Sequence, residues 1–290
     1  MLDGKQPLSI KRAVFLAEWA YLDGNLDYEE YNNTIDAAAS WLKRFINANE
    51  LEKYKTGKNM ALIEYFFRPY SGNNYKPFVY DFSDTCFTQQ FVSKVMQTHS
   101  GQCRSLPMYY KILAEAIGAE AYITYAPLHV FIRYRDEDNL FPEDWVNVET
   151  STRQLTPEFW YRERFRINER TIETKVYLHP LTDKETVASQ LADLAFGYRN
   201  KFKIYDDFTL LCVNKALEFY PQKPNALIIK GKSLHSILIK HLEYNGYRMD
   251  KHALFLESRL DKVTERIEHL GWTQTTSEML EKIGKEMGLE

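Results

Sequence analysis

The sequence has little cysteine, no bias of charge and no long apolar run, and each absence removes a class of protein. Its three cysteines, Cys86, Cys103 and Cys212, are scattered and odd in number. No Cys-x-x-Cys spacing occurs, which argues against a zinc ribbon, a thioredoxin-like redox pair or a disulfide framework. One bridge, Cys86 to Cys103, would matter to the chemistry below, and the scattered set argues against it. Basic residues number 37 and acidic residues 40, a net charge of −3, so the chain lacks the basic footprint of a nucleic-acid binder. No run approaches the roughly 18 apolar residues that a membrane span requires. The opening residues, M-L-D-G-K-Q-P, lack the apolar core of a signal peptide. A chain complete at this end is expected in the cytoplasm, and one trimmed of a signal in the periplasm or outside the cell.

What is present suits an ordinary globular fold. At 290 residues, 44% hydrophobic and 27% charged, the chain can bury a sizeable core in one large or two modest domains. The 20 Tyr, 17 Phe and 5 Trp supply a packed interior or a groove for peptides or sugars.

Ser9 opens a helical pattern through Ala13, Leu16, Ala17, Ala20 and Tyr21, and Asp27 caps a second through Tyr31, Ile35, Ala38, Leu42 and Phe45. Between them Asp23, Asn25 and Asp27 mimic the start of a calcium loop. Tyr28 stands where that loop needs Gly and Thr34 where it needs Glu, which argues against calcium. Met60 to Phe67 predicts another helix, Phe78 to Phe82 a short extended piece, and Phe87, Phe91, Val92, Val95 and Met96 a helical stripe.

That stripe leads into Gly101-Gln102-Cys103. Ser105 and Pro107 favour a helix beginning, Leu106, Tyr109, Tyr110, Leu113, Ala116 and Ile117 recur at helical spacing, and Gly118 stops the helix. Cys103 therefore sits at or just before a helix N-terminus, where unpaired N–H groups and the helix dipole favour thiolate over thiol. A β-prone run from Ala121 to Tyr125 is interrupted at Ala126-Pro127 and resumes to Tyr134. His129, Phe131 and Arg133 share one face of that second strand. After a charged loop, Trp145 to Glu149 forms another strand with Trp145, Asn147 and Glu149 aligned. Antiparallel pairing brings Asn147 or Glu149 beside His129, the layout of a thiolate–imidazolium pair oriented by a third polar group.

Gly-x-Cys before a helix, His in a strand, and W-V-N-V-E-T-S together resemble the core of the transglutaminase-like superfamily, with its papain-like Cys, His and acid. The resemblance covers about residues 60–155. It implies Cys103 as nucleophile, His129 as base and Glu149 as orienting acid, although the usual acid is Asp; Asn147 is the alternative. Gln97, six residues before Cys103, stands where papain-like proteases place an oxyanion donor, and the backbone N–H of Cys103 is another donor. The helices ahead of the core also resemble a bacterial branch of the superfamily.

Beyond Glu149 the alternating charges of R-E-R-F-R-I-N-E-R predict a solvated segment, and Thr174 to Leu178 an edge strand. From Asp183 the pattern is helical. Gly197 and Gly231 lie 34 residues apart, and N-K-A-L-E-F-Y-P-Q-K-P-N-A between them resembles a tetratricopeptide repeat. With fewer than three repeats, these helices are expected to dock on the core.

The expectation is an α+β protein. Residues 1–182 form a transglutaminase-like domain with a helical lead-in and an antiparallel sheet, and 183–290 a helical tetratricopeptide-like region. The resemblance implies a cysteine hydrolase or acyltransferase without cofactor or metal. It acts on amides of a peptide or protein, peptidoglycan-type peptides included, through a thioester, with hydrolysis favoured over cross-linking. A protein partner at the helical region is part of the same expectation. The alternative is an inactive member of the fold serving as a peptide or protein binding module.

Overall fold

The computed structural model describes residues 1–83 and 86–286. It is an α+β protein: a mostly helical first part holding one antiparallel sheet, followed by helices alone. Among the described residues no helix is long and apolar enough to cross a membrane.

The lead-in is α1 (Ile10–Tyr21), α2 (Tyr28–Ala48) and α3 (Gly57–Phe67). Ser9 Oγ accepts from Arg12 N–H and Asp27 Oδ1 from Glu30 N–H, each satisfying a donor that the helix start leaves unpaired. The calcium-like loop between α1 and α2 is spent on structure. Asp27 is the cap, and Asp23 Oδ2 accepts from Lys201 Nζ at 2.5 Å.

Strand β1 (Val79–Tyr80) pairs in parallel with β2 (Ser100–Gly101). The stripe from Phe87 to Met96 is two pieces rather than one helix. A 3₁₀ turn spans Phe87–Gln90, Phe91 is extended, and α4 runs Val92–Thr98. The break lets Phe87 and Phe91 both pack on Tyr21, at ring distances of 5.0 and 5.2 Å.

Helix α5 (Ser105–Ile117) is the centre of the molecule. Eleven of its 13 residues are buried, so it is covered on nearly all sides. It packs against α2, α3, α4 and one face of the sheet formed by β3 (Tyr122–Ala126), β4 (His129–Arg135), β5 (Trp145–Glu149) and β6 (Gln154–Leu155). The sheet is an antiparallel meander in chain order. Period-2 alternation sorts its side chains. Val130, Ile132 and Tyr134 join Val146 and Val148 in the core around α5. His129, Phe131, Arg133, Asn147 and Glu149 point the other way, toward α6 (Glu158–Arg164), whose Tyr161 stacks on Phe131 at 4.0 Å.

After α7 (Glu169–Glu173) the chain forms no strand where an edge strand was expected. Lys175 and Leu178 adopt positive φ (61° and 56°), which breaks any ladder. The irregular segment still covers the sheet edge: Leu178 N–H donates to Tyr125 O and Leu181 N–H to Ile123 O.

The helical part begins with α8 (Asp183–Phe202), capped by a reciprocal Thr182–Glu185 box, and continues through α9 (Asp207–Phe219), α10 (Pro224–Tyr244), α11 (Lys251–His269) and α12 (Ser277–Glu286). Consecutive helices from α8 to α11 pack on each other, and α8 also packs along α1. The two glycines of the 34-residue spacing do different things. A Cβ on Gly197 would meet Phe87 and Tyr21 at 3.0 Å, so that glycine serves the docking of α8 on the first part. A Cβ on Gly231 would meet only Val263 and Leu260, at 3.6 and 3.8 Å.

Candidate functional site

The loop before α5 is fixed by its own small residues. A Cβ on Gly101 would lie 2.5 Å from Val95 Cγ2 and 2.6 Å from Ser105 Oγ, so no larger residue fits there. Ser105 Oγ accepts from Gln102 N–H at 2.9 Å and donates to Gln89 O at 3.0 Å. Cys103 is thereby held just ahead of α5, with Arg104 as the N-cap residue. Its thiol is half-buried, and its N–H has no acceptor among the described residues. All three cysteines are free.

The thiol faces the hairpin turn between β3 and β4. Ala126 pairs with His129, leaving Pro127 and Leu128 as a two-residue turn, and Leu128 sits at φ 55°. Its carbonyl accepts from Cys103 Sγ at 3.9 Å. Non-glycine residues in this region are strained, and such strain collects at working sites.

His129, first residue of β4, bonds through Nε2 to Glu149 Oε2 at 2.6 Å, and the Cys103 side chain lies near enough to the ring to favour its charged form. With Nε2 engaged by the carboxylate, Nδ1 is the ring nitrogen left for the thiol. The register explains the pairing. Arg133 lies opposite Asn147, so Glu149 falls opposite Phe131 and diagonal to His129, and glutamate's extra methylene spans the diagonal. Glu149 is saturated with donors: Oε1 takes Ser151 N–H (3.1 Å) and Oγ–H (2.6 Å), and Oε2 takes His129 and Tyr161 O–H (3.1 Å). Burial alone would raise its pKa, but the His129 charge and these donors hold it below the usual carboxylate range. Burial likewise pulls His129 down, yet the Glu149 charge and the Cys103 and Glu149 hydrogen bonds outweigh it and lift the ring to about 10. The ring also stacks on Phe165, 5.4 Å away, which fixes its plane.

Asn147 does not reach His129. Its Oδ1 accepts from Arg133 Nε at 2.8 Å and its Nδ2 donates to Thr156 O at 2.9 Å, so it serves the buried Arg133, which also holds Glu158. Gln97 is exposed on the last turn of α4 and does not line the cleft at Cys103; Gln90 and Gln102 do. Gln102 Nε2 donates to Ser83 O at 3.0 Å. The break at Phe91 moves Gln90 inward, and the expected continuous stripe gives no sign of it.

Cys103 and His129 open on a cleft of about 240 Å³ between the sheet and the helical part. The rest of its lining was not singled out from the sequence: Arg104, Tyr125, Asp193 and Lys223, with the aromatic Phe196, Tyr220 and Trp272. Asp193 comes from α8 and Lys223 from the turn before α10, both distant in sequence from Cys103. Among the described residues no three His, Cys, Asp or Glu side chains converge as a metal site.

Comparison with protein-family models, curated proteins and solved structures finds no significant match, so the functional assignment rests on the geometry of this chain.

Proposed function

We propose that the protein is a transglutaminase-like cysteine enzyme that opens amide bonds through a thioester, releasing the acyl group to water more readily than to an amine. The observation that carries this reading is the chain of contacts from Cys103 through the His129 ring to a Glu149 carboxylate saturated with donors. A nucleophile ahead of a buried helix, with base and acid on adjacent antiparallel strands, also fits the papain-like core that the sequence resembles.

In this mechanism His129 keeps the proton and Cys103 carries the negative charge. The thiolate attacks the amide carbon, and the unpaired N–H of Cys103 donates to the developing oxyanion. His129 Nδ1–H passes its proton to the departing amine, giving the acyl thioester and neutral imidazole. Water, deprotonated by His129, then attacks the thioester. The carboxylic acid leaves and the thiolate–imidazolium pair returns. Glu149 holds the ring by Nε2 throughout. Tyr161 and Ser151 fix Glu149 in turn, so that the carboxylate needs no reorientation as charge moves.

The test is iodoacetamide labelling of the native protein from pH 4 to 9, with mass spectrometry resolving each cysteine. Below pH 7 Cys103 is expected to react faster than exposed Cys86, whose thiol the Thr88 hydrogen bonds hold below its usual range, and faster than buried Cys212, and His129→Ala is expected to abolish the difference. Equal slow reaction at Cys103 and Cys86 would remove the catalytic reading. Peptide binding that survives Cys103→Ala would then mark a binding module.

A further inference from the structure

The cleft that holds Cys103 and His129 is also lined by a buried cation short of hydrogen-bond partners. Lys223 is only 4% exposed, yet among the described residues its ammonium makes one hydrogen bond, to the Tyr125 hydroxyl at 2.9 Å. It sits over that ring, 4.2 Å from the centroid, and Asp193 Oδ1 is 4.0 Å away, beyond hydrogen-bond reach. Asp193 is already ion-paired with Arg104. Burying an ammonium whose donors are not filled is costly.

Counting charge shows the same shortfall. Arg104 and Lys223 face one carboxylate, Asp193; burial pulls the Lys223 ammonium down, and although burial raises the Tyr125 phenol, Lys223 and Arg104 outweigh it and hold it below its usual range. Glu18 faces Arg104 from behind, accepting from Val92 and Ser93 N–H at 2.6 and 3.1 Å. Burial pushes its carboxyl up to about 7, so at neutral pH it compensates only in part. Lys223, Arg104 and Tyr125 all line the cleft that holds Cys103 and His129. An apolar aromatic cleft with one convergent polar spot is the usual form of a ligand site.

We propose that Lys223, with Tyr125 and Arg104 beside it, forms an anion subsite that receives a carboxylate of the substrate, so that the amide presented to Cys103 belongs to an acidic peptide. This rests on the cysteine-enzyme reading and names the substrate class for it. The carboxylate supplies the acceptors that the buried ammonium lacks, and the aromatic walls take the apolar part of the same residue. A neutral peptide leaves Lys223 unfilled and binds more weakly. The carboxylate is either the free C-terminus of the peptide or an acidic side chain.

Two alkylating reagents that differ only in charge separate the subsite from the nucleophile. The rate of Cys103 labelling by iodoacetate is divided by its rate with iodoacetamide, and the same ratio at exposed Cys86 is the reference. The expected ratio at Cys103 exceeds that at Cys86 by about tenfold, falls at least threefold in Lys223→Gln, and is kept in Lys223→Arg. Labelling of buried Cys212 in the same sample reports any unfolded fraction, so a partly unfolded variant is not mistaken for the result. Slow iodoacetamide labelling of native Cys103 would sink the cysteine-enzyme reading itself. Fast iodoacetamide labelling with an iodoacetate preference that Lys223→Gln leaves intact would overturn the subsite alone. Protection of Cys103 by N-acetyl-L-alanine points to a C-terminal carboxylate, and protection by N-acetyl-L-glutamic acid α-amide to an acidic side chain. If neither protects at millimolar concentration while the reagent ratio is unchanged by Lys223→Gln, no carboxylate is held there.

Discussion

Two charged clusters flank Cys103, and they are finished to different degrees. On the sheet side, both oxygens of Glu149 are taken up by His129, Ser151 and Tyr161. On the helical side, Lys223 is as deeply buried as Glu149, but it has one hydrogen bond, and its carboxylate partner, Asp193, stands 4.0 Å off, too far to accept a second. A group that must hold one orientation through a reaction gains from saturation, because nothing then competes for it. A group that must take hold of something else gains from being left short. The same physical cost is therefore removed in one cluster and retained in the other.

The sharpest way to break this contrast is Glu149→Gln, which keeps shape and removes charge. Burial would then be opposed chiefly by the Cys103 side chain, and the His129 pKa would fall. Labelling of Cys103 by iodoacetamide at pH 6 should drop by about 10²-fold, and stability by on the order of 3 kcal/mol. The pH profile carries the same signature. His129 is raised from 6.5 to about 10, so its stabilisation is complete below pH 6.5 and is lost as pH rises toward 10. Glu149 is lowered from 4.5, so its share is present above that value and is lost as pH falls. Melting temperatures of the native chain should decline at both ends, and those of the variant should be flatter. Equal slopes in both proteins would mean the pair contributes nothing.

A smaller effect is expected from Asp193→Asn, which takes the ion-pair partner from half-buried Arg104. Stability should fall by about 2 kcal/mol in urea titration, while the iodoacetate-to-iodoacetamide ratio at Cys103 rises. A falling ratio would show that Asp193 organises the cations rather than neutralising them. The least change is expected from Leu128→Gly. Releasing the strained turn gains about 1 kcal/mol and glycine's extra chain freedom costs about as much, for a net shift within about 0.5 kcal/mol. A loss beyond about 1.5 kcal/mol would show instead that the half-exposed Leu128 side chain packs the cleft rim.

The saturated cluster was the more legible of the two in the sequence, for a definite reason. Cys103, His129 and Glu149 lie within 47 residues (149 − 103 + 1), on elements whose periodicity shows in the residue types, so local rules place each side chain. Choosing between Glu149 and Asn147 needed the register: both share a face, and one residue pair along the ladder decides which is diagonal to His129. Gln97 was singled out by its six-residue spacing from Cys103 alone, and spacing does not say which way a side chain on α4 points: it is exposed and away from the cleft. The open cluster depends on α8 and the α9–α10 turn folding back over the cleft. Nothing local in Asp193 or Lys223 marks that contact, since lysine and aspartate on helical segments are ordinarily solvated.

The docking of α8 against α1, through Gly197 and the bonds of Lys201 to Tyr21 O and Asp23, gives the chain a seam instead of a hinge. Residue 182 divides the sequence by pattern, yet one jaw of the cleft is supplied from each side of it. A fragment ending there would keep Cys103, His129 and Glu149 and lose Asp193 and Lys223. The later helices are therefore part of the cleft's own wall, and transplanting the first part onto another scaffold would carry over only one side of it.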